Sequence, residues 1–361
     1  MTLVFFAVLA LLMFLAQRYT GRAALRTLRC GARFAVPLAD PDEHFAVETV
    51  AENPGWLPVL YLRITERLPA ALHFADEGAM RGQVTRDDWR GTEYSAVLYL
   101  MPRQRVTHTE TAVLPARGRY PLRELHVSVG DFLGVDEAHT GRTVHSEIVI
   151  APPRAAEGIV DRALGGFLGD VSVRRFLLED PILTVGVRDY TGREPQKDIA
   201  WRQSARLGRL VVKEYDHTVE PLVTVLFNVE YTASPPVRAA AVERCLSLAR
   251  TACELLERRH VPYRFCTNVA AASAIGPWSE IENGLGQRHF DAVRDGLGRT
   301  DGTCRQSLAA LVAQEAARSE AGRGYFVVTP PLAPAQRRCL DGLRALTGGA
   351  LEILQGEAQA E

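Results

Sequence analysis

The segment from Gly186 to Tyr215 holds the densest group of side chains suited to binding chemistry. It carries Trp201 and five arginines, namely Arg188, Arg193, Arg202, Arg206 and Arg209. Because tryptophan and arginine dominate the binding energy of protein interfaces, the segment is predicted to be a docking surface for another protein. The composition leaves a structural alternative open, in which Trp201 fills a core and Asp198 pairs with Arg206 to hold a helix in place.

The other residue types that do chemistry show no catalytic or metal-binding spacing. The nine histidines form no H-E-x-x-H motif, and the six cysteines form no C-x-x-C pair. The sequence also has no G-x-S-x-G nucleophile motif and no glycine-rich phosphate loop. We therefore predict no catalytic residues, no enzyme activity and free cysteines.

Composition describes a globular chain of 361 residues that is 47% hydrophobic. Its 42 basic and 43 acidic residues give a formal net charge of −1, which excludes a protein that mainly binds nucleic acid. The length is sufficient for two folded units with cores of their own.

The N-terminus carries an uncharged stretch, residues 1–17, in which Leu3 to Ala16 is an unbroken apolar run. We expect a transmembrane anchor here, followed by a basic juxtamembrane segment at 18–35. A signal peptide is the main rival, but it normally carries its positive charge before the apolar run. Since the arginines follow the run, the positive-inside rule predicts a single-pass cell-membrane protein with its bulk in the cytoplasm.

Two patterns of hydrophobicity divide the rest of the chain. Residues 36–152 alternate with period 2 between turn signals, which predicts an all-β, sandwich-like domain. A connector at 153–181 leads to 182–356, where apolar runs such as Leu222–Val229 alternate with helical patterns such as 237–259. That alternation predicts an α/β domain with a mostly parallel sheet.

Local signals place the docking segment on a short helix of the second domain. Asp198 is predicted to cap the N-terminus of a helix that runs through Trp201, and Gly208 is predicted to end it. The strand that follows is expected to begin at Leu210. Trp201 and Ile199 are expected to hold the helix against a sheet, while Arg188, Arg202 and Arg206 are expected to include the charges that face a partner or lock the domain.

The same segment resembles the domain of unknown function 58 family, whose signature runs approximately R-x-Y-x-x-G-D-x-x-R-x-I-x-W-x-x-S-A-R. The residues on that pattern are Arg188, Tyr190, Gly192, Ile199, Trp201, Ser204, Ala205 and Arg206, with Lys197 or Asp198 at the inner arginine. The aspartate after the glycine is Arg193 here, a departure from the pattern. Two further elements, Arg117-Gly118-Arg119-Tyr120 and Asp131-Phe132-Leu133-Gly134, are similar to the family's R-G-x-Y and D-P-F-G-L.

The resemblance implies an N-terminal membrane anchor, a β-rich domain and a domain similar to von Willebrand factor type A, which is Rossmann-like. It also implies partners: a MoxR-type AAA+ ATPase and a client protein whose assembly or maturation the pair would serve. The expected role is that of a membrane-anchored adaptor. The alternatives are a metal-assisted hydrolase and a structural membrane scaffold.

The resemblance further implies where type A domains hold Mg²⁺, at the carboxyl end of the first strand. The matching positions are Asn228, Glu230, Thr232 and Thr303, and the last expected aspartate falls near Thr329-Pro330. Because Mg²⁺ usually needs a well-placed carboxylate, the expectation is a degenerate site without metal or cofactor. Such a site could serve as a protein contact instead.

Overall fold

The computed structural model describes twelve stretches of the chain, and every structural statement below concerns them. They are residues 24–75, 82–87, 91–130, 137–175, 184–192, 194–215, 223–269, 272–273, 276–277, 280–318, 323–347 and 350–356. The chain divides after Pro153 into two compact units.

The first unit is built from antiparallel strands in two sheets. Its strands are β1 (Arg29–Phe34), β2 (Leu38–Ala39), β3 (Phe45–Glu52), β4 (Val59–Leu68), β5 (His73–Phe74), β6 (Gly82–Asp87), β7 (Gly91–Leu100), β8 (Arg105–Val113), β9 (Gly118–Gly130) and β10 (Glu137–Ile150). One sheet has the order β1-β3-β8-β5 and the other β2-β10-β9-β4-β7-β6, in which only β2 and β10 run parallel.

Alternating side chains build the core of the first unit. In β3, Phe45 and Val47 are buried while Ala46 between them is half-buried. Strand β4 of the other sheet contributes Leu62 and Ile64 to the same hydrophobic cluster. The two sheets therefore share one core, as period-2 patterning requires.

The second unit alternates helices and strands. Its helices are α1 (Glu157–Arg175), α2 (Trp201–Leu207), α3 (Pro235–Arg258), α4 (Gln287–Arg299), α5 (Leu308–Ala317) and α6 (Pro334–Thr347). Its strands are β11 (Thr184–Asp189), β12 (Val211–Tyr215), β13 (Val223–Phe227), β14 (Tyr263–Thr267), β15 (Ala272–Ser273), β16 (Gly276–Pro277), β17 (Glu280–Gly284), β18 (Gly324–Thr329) and β19 (Leu351–Gln355).

The main sheet of the second unit has the order β17-β14-β13-β18-β19, and only β17 runs antiparallel to its neighbour. Residues of α1, α3 and α4 share one hydrophobic cluster with one face of this sheet, and residues of α5 and α6 share another with the opposite face. Strands β13, β14 and β18 are buried throughout, as expected for strands covered on both faces. Strands β11 and β12 form a separate two-stranded antiparallel sheet, and the segment that connects them contains α2.

The membrane prediction is corrected. The expected anchor at residues 1–17 lies outside the described residues, and none of the helices that the structure does describe is long and apolar enough to cross a membrane. A single-pass cell-membrane location is therefore not supported by any helix that the structure describes.

The juxtamembrane segment expected at 18–35 is corrected as well, because its last part is strand β1. Ala32 and Phe34 are buried in the sandwich core, and Arg33 pairs with Glu48 of β3 at 2.7 Å.

The assignment to the von Willebrand factor A type is also wrong. At the carboxyl ends of β13 and β18, where that type of domain holds its metal ligands, Asn228 and Thr329 are buried and bonded to each other.

The stretch expected as a connector, 153–181, instead contains α1. The side chains of Val160, Leu164 and Phe167 of α1 are buried in the core of the unit.

Candidate functional site

Contacts with strand β12 fix the position of helix α2. The backbone N–H of Ala200 donates to the carbonyl of Val211 at 2.9 Å, and Ile199 beside it is buried. The Ser204 hydroxyl accepts from the N–H of Val211 at 3.0 Å and contacts its carbonyl oxygen at 3.3 Å. One face of the short helix is therefore held on β12 by backbone and hydroxyl contacts.

The two ends of α2 differ in how well the sequence predicts them. Gly208 ends the helix at φ 66°, a left-handed conformation that glycine adopts at little cost. Asp198 does not cap the helix, because it lies in a 3₁₀ turn, Gln196–Asp198, and the N-cap position is Ala200. The hydrogen bond from Ala200 to Val211 moves the start of the helix to Trp201.

Trp201 is 61% exposed, so the expectation that it fills a core is wrong. Arg202 and Arg206 are exposed too, and neither makes an ion pair with any residue that the structure describes. Leu207 completes this group at 52% exposed. We call Trp201, Arg202, Arg206 and Leu207 the α2 surface. An exposed tryptophan beside unpaired arginines is the combination that protein interfaces use as anchors.

The remaining signature residues form the turn that supports this surface. Arg188 donates to Glu194 at 2.6 Å, and Glu194 also accepts from the hydroxyl and N–H of Thr191. The hydrogen bond from Thr191 and the one from Arg188 lower the pKa of Glu194 to about 2. Arg188 therefore holds the turn through this ion pair.

Tyr190 and Gly192 also serve the turn. The N–H of the half-buried Tyr190 donates to the carbonyl of Leu210 at 3.0 Å. Gly192 is exposed at φ 89°, a conformation that other residues adopt only with strain. Arg193, and the element Asp131–Gly134, lie outside the described residues.

Asn228, one of the positions expected for a degenerate metal site, belongs to a closed network of amides and a hydroxyl. The amide of Asn228 donates to the Thr329 hydroxyl at 2.8 Å and accepts from the Asn268 amide at 2.7 Å. The Asn268 oxygen accepts from the N–H of Val229 at 3.0 Å. Their buried polar groups are paired with one another, so these residues do not fit Mg²⁺.

Glu230 is the carboxylate nearest this network in sequence, but it is used as a helix cap. Its Oε2 accepts from the N–H of Leu308 at 2.6 Å, at the start of α5. Thr232 is exposed, and the exposed Thr303 bonds to Asp301 instead of Asn228 or Glu230. The structure therefore brings Asn228 and Glu230 together, with a hydrogen bond of 2.9 Å from the Glu230 N–H, but not the two threonines.

We predict that Asn228→Ala lowers the free energy of unfolding by about 2 kcal/mol, since it leaves the buried Asn268 amide and Thr329 hydroxyl without this partner. Mg²⁺ or a chelator should leave the unfolding midpoint of the wild type unchanged. Urea unfolding of the full chain tests both expectations, and the exposed Thr303→Ala is the control. A midpoint that rises with Mg²⁺ would contradict the closed network.

Sequence reasoning missed a cluster of charged residues one strand away. Ligand atoms of Cys266, Glu280 and Glu315 lie within 4.8 Å of one another, close enough to share a metal. Arginines occupy both carboxylates, however. Arg264 bonds to Glu315 and to Glu280, and Arg318 bonds to both oxygens of Glu280 at 2.6 Å. The geometry is that of an ion-pair network between β14, β17 and α5, in which Arg264 and Glu315 are buried and Arg318 is exposed.

Known proteins add little to this picture. No known family profile and no curated protein matches the chain. Among solved structures, it is similar to a type II cohesin domain from the cellulosome of Acetivibrio cellulolyticus, at 11% identity and a TM-score of 0.26, over 34% of this chain and 95% of that one. It is also similar to the CARDB domain of a Pyrococcus furiosus protein, at 10% identity and a TM-score of 0.20, over 32% of this chain and 91% of that one.

A non-cellulosomal cohesin from Archaeoglobus fulgidus matches in the same way, at 12% identity and a TM-score of 0.23, over 34% of this chain and 91% of that one. None of these three structures is described as a von Willebrand factor A domain. Likenesses of this strength carry no argument about function.

Proposed function

We propose that this chain is a non-enzymatic interaction protein, an adaptor that docks on its partner through the α2 surface. The observation that carries the proposal is the 61% exposure of Trp201 on a short helix whose exposed Arg202 and Arg206 have no ion pair with any described residue. Exposing a side chain of this size costs hydrophobic stabilisation, which a partner that covers it restores.

Contacts with the rest of the second unit hold helix α2 in place before any partner binds. Ile199 and Ser204 hold it on β12, and the Arg188–Glu194 pair locks the turn before it. The side chains of Trp201, Arg202 and Arg206 take no part in these contacts. Because all three are exposed, they are available for binding. Pre-positioned anchors lose less entropy on association.

The partner that we propose is a MoxR-type AAA+ ATPase, which together with this chain would act on a client protein. The support for this partner is the resemblance of the segment that carries Trp201 to the domain of unknown function 58 signature. The charge of the surface, two arginines, favours an acidic patch on the ATPase.

Charge reversal tests the proposal without disturbing the fold. We expect Arg202→Glu and Arg206→Glu each to weaken binding of a MoxR-type ATPase from the same organism by about tenfold. The melting temperature should hardly change, because exposed charges contribute little to stability. Binding is measured by surface plasmon resonance on the full chain, and folding by a thermal melt.

The matched control is Arg337→Glu, an exposed arginine on α6 without an ion pair to any described residue. Its binding should equal that of the wild type. If all three reversals weaken binding equally, the effect is one of net charge and the α2 surface is not the site.

A further inference from the structure

A cavity of about 420 Å³ opens in the first unit where strands β4 and β9 part. The two strands pair from Leu62–Val129 to Glu66–Leu125. Beyond that point β4 continues with β7, as in the pair Leu68–Thr92, while β9 continues with β10. The cavity is thus a wedge within one sheet, and its volume lies in the range of small-molecule sites.

The wall of the wedge is apolar and pre-formed. Leu68, Pro69, Ala70 and Pro121 line it together with Tyr120. The Tyr120 hydroxyl donates to the carbonyl of Ala116 at 2.9 Å, which fixes the ring, and burial raises the pKa of the phenol. Tyr120 is the last residue of the Arg117-Gly118-Arg119-Tyr120 element, which has no part in the proposed docking through the α2 surface.

Gly91 forms part of the rim, and the geometry there requires glycine. Its φ is +90°, and a Cβ atom at this position would lie 2.9 Å from the carbonyl oxygen of Leu68. A larger residue would force the start of β7 away from the end of β4. The backbone itself therefore shapes this side of the wedge.

The polar lining carries one net positive charge, from Arg67, Arg123 and Glu124. Arg67 contacts Glu93 at 3.4 Å and Glu124 at 3.7 Å, but all three side chains are at least one-third exposed, so these pairs are weak. Arg123 is exposed and makes no ion pair with any residue in the described stretches. A guanidinium of this kind, beside an apolar wall, suits a carboxylate bound through two parallel hydrogen bonds.

We propose that the wedge binds a small ligand with one carboxylate and an apolar body. The carboxylate pairs with Arg123, with Arg67 beside it, and the body packs between Pro69, Tyr120 and Pro121. A free acid and the C-terminal carboxylate of a peptide share this chemistry. A phosphate fits less well, because its second negative charge exceeds the single net positive charge of the lining.

Saturation-transfer NMR on the full chain tests the site with hexanoate and its neutral analogue hexanamide. We expect transfer to hexanoate and at least several-fold less to hexanamide. Arg123→Ala should weaken hexanoate binding by about tenfold, and Arg123→Lys by less, since lysine keeps the charge but not the paired hydrogen bonds. Arg33→Ala, on an exposed arginine of β1, is the control that should bind as the wild type does.

Further probes separate the two sources of the carboxylate. A short acetylated peptide ending in leucine, compared with its C-terminal amide, shows a peptide source if only the acid binds and binds more tightly than hexanoate. Preference for hexanoate indicates a free acid. Equal transfer to hexanoate and hexanamide, unchanged binding in Arg123→Ala, or displacement of hexanoate by equimolar inorganic phosphate would each overturn the proposal.

Discussion

Glu315→Ala should lower the free energy of unfolding of the second unit by about 3–5 kcal/mol, as is usual when one member of a buried ion pair is removed. The side chain of Glu315 is only 3% exposed and that of Arg264 9%. Without Glu315, Arg264 keeps Glu280 at 3.1 Å but loses its buried partner, and its Nε already has no hydrogen-bond partner among the described residues. Urea unfolding of the full chain measures the loss.

Two variants sharpen this test. Glu282→Ala removes an exposed carboxylate from the same strand, β17, and should change the free energy of unfolding by about 0.5 kcal/mol or less. The double variant Arg264→Met with Glu315→Leu replaces the pair by apolar groups and should recover most of the loss. A Glu315→Ala protein as stable as Glu282→Ala would show that the network is not buried in solution.

Glu66 should make the first unit less stable as the pH rises from about 4.5 to about 7. Its side chain is fully buried, it accepts a hydrogen bond from Thr49 of the facing sheet, and its other oxygen has no partner among the described residues. Burial raises its pKa from the usual 4.5 to about 7. The folded state therefore holds a proton that the unfolded state has released, and the stability that this proton supplies is lost as the pH passes through 7.

The expected size of the loss is about 3 kcal/mol, because one unit of pKa shift corresponds to about 1.4 kcal/mol. Glu66→Gln should remove this part of the pH dependence and be more stable than the wild type at pH 8. Urea unfolding at pH 5 and pH 8 gives the comparison. His108 and Glu110, which bond to each other and to Tyr94 nearby, are the same in both proteins. Parallel pH profiles for the two proteins would contradict the assignment to Glu66.

The strands of the main sheet were readable in the sequence because they are buried on both faces. The run Leu222–Val229 predicts a strand where the structure has Val223–Phe227, and Tyr263–Val269 predicts one where it has Tyr263–Thr267. The sequence did not predict helix α1, because the helix contains four glycines, which weaken the helical pattern. They are Gly158, Gly165, Gly166 and Gly169.

The environment of Trp201 could not be predicted, because large apolar residues are usually buried and local pattern does not show otherwise. Helix α2 is only seven residues long. Ser204 and the preceding Ile199 fill its inward face, and the contacts that place them come from β12. The pairing of Arg264 with Glu315 was equally hidden, since it joins residues 51 positions apart.

The affinity of the full chain for a MoxR-type AAA+ ATPase tests most directly whether the α2 surface binds the partner. It is measured by titration for the wild type, for Trp201→Ala and for Trp56→Ala, which removes a more exposed tryptophan, at 77%, from the first unit. We predict that Trp201→Ala weakens binding by about thirtyfold, as a central anchor should, while its melting temperature stays close to that of the wild type. Trp56→Ala should bind as the wild type does. Equal affinity of Trp201→Ala and the wild type, with both proteins folded, would contradict docking through α2.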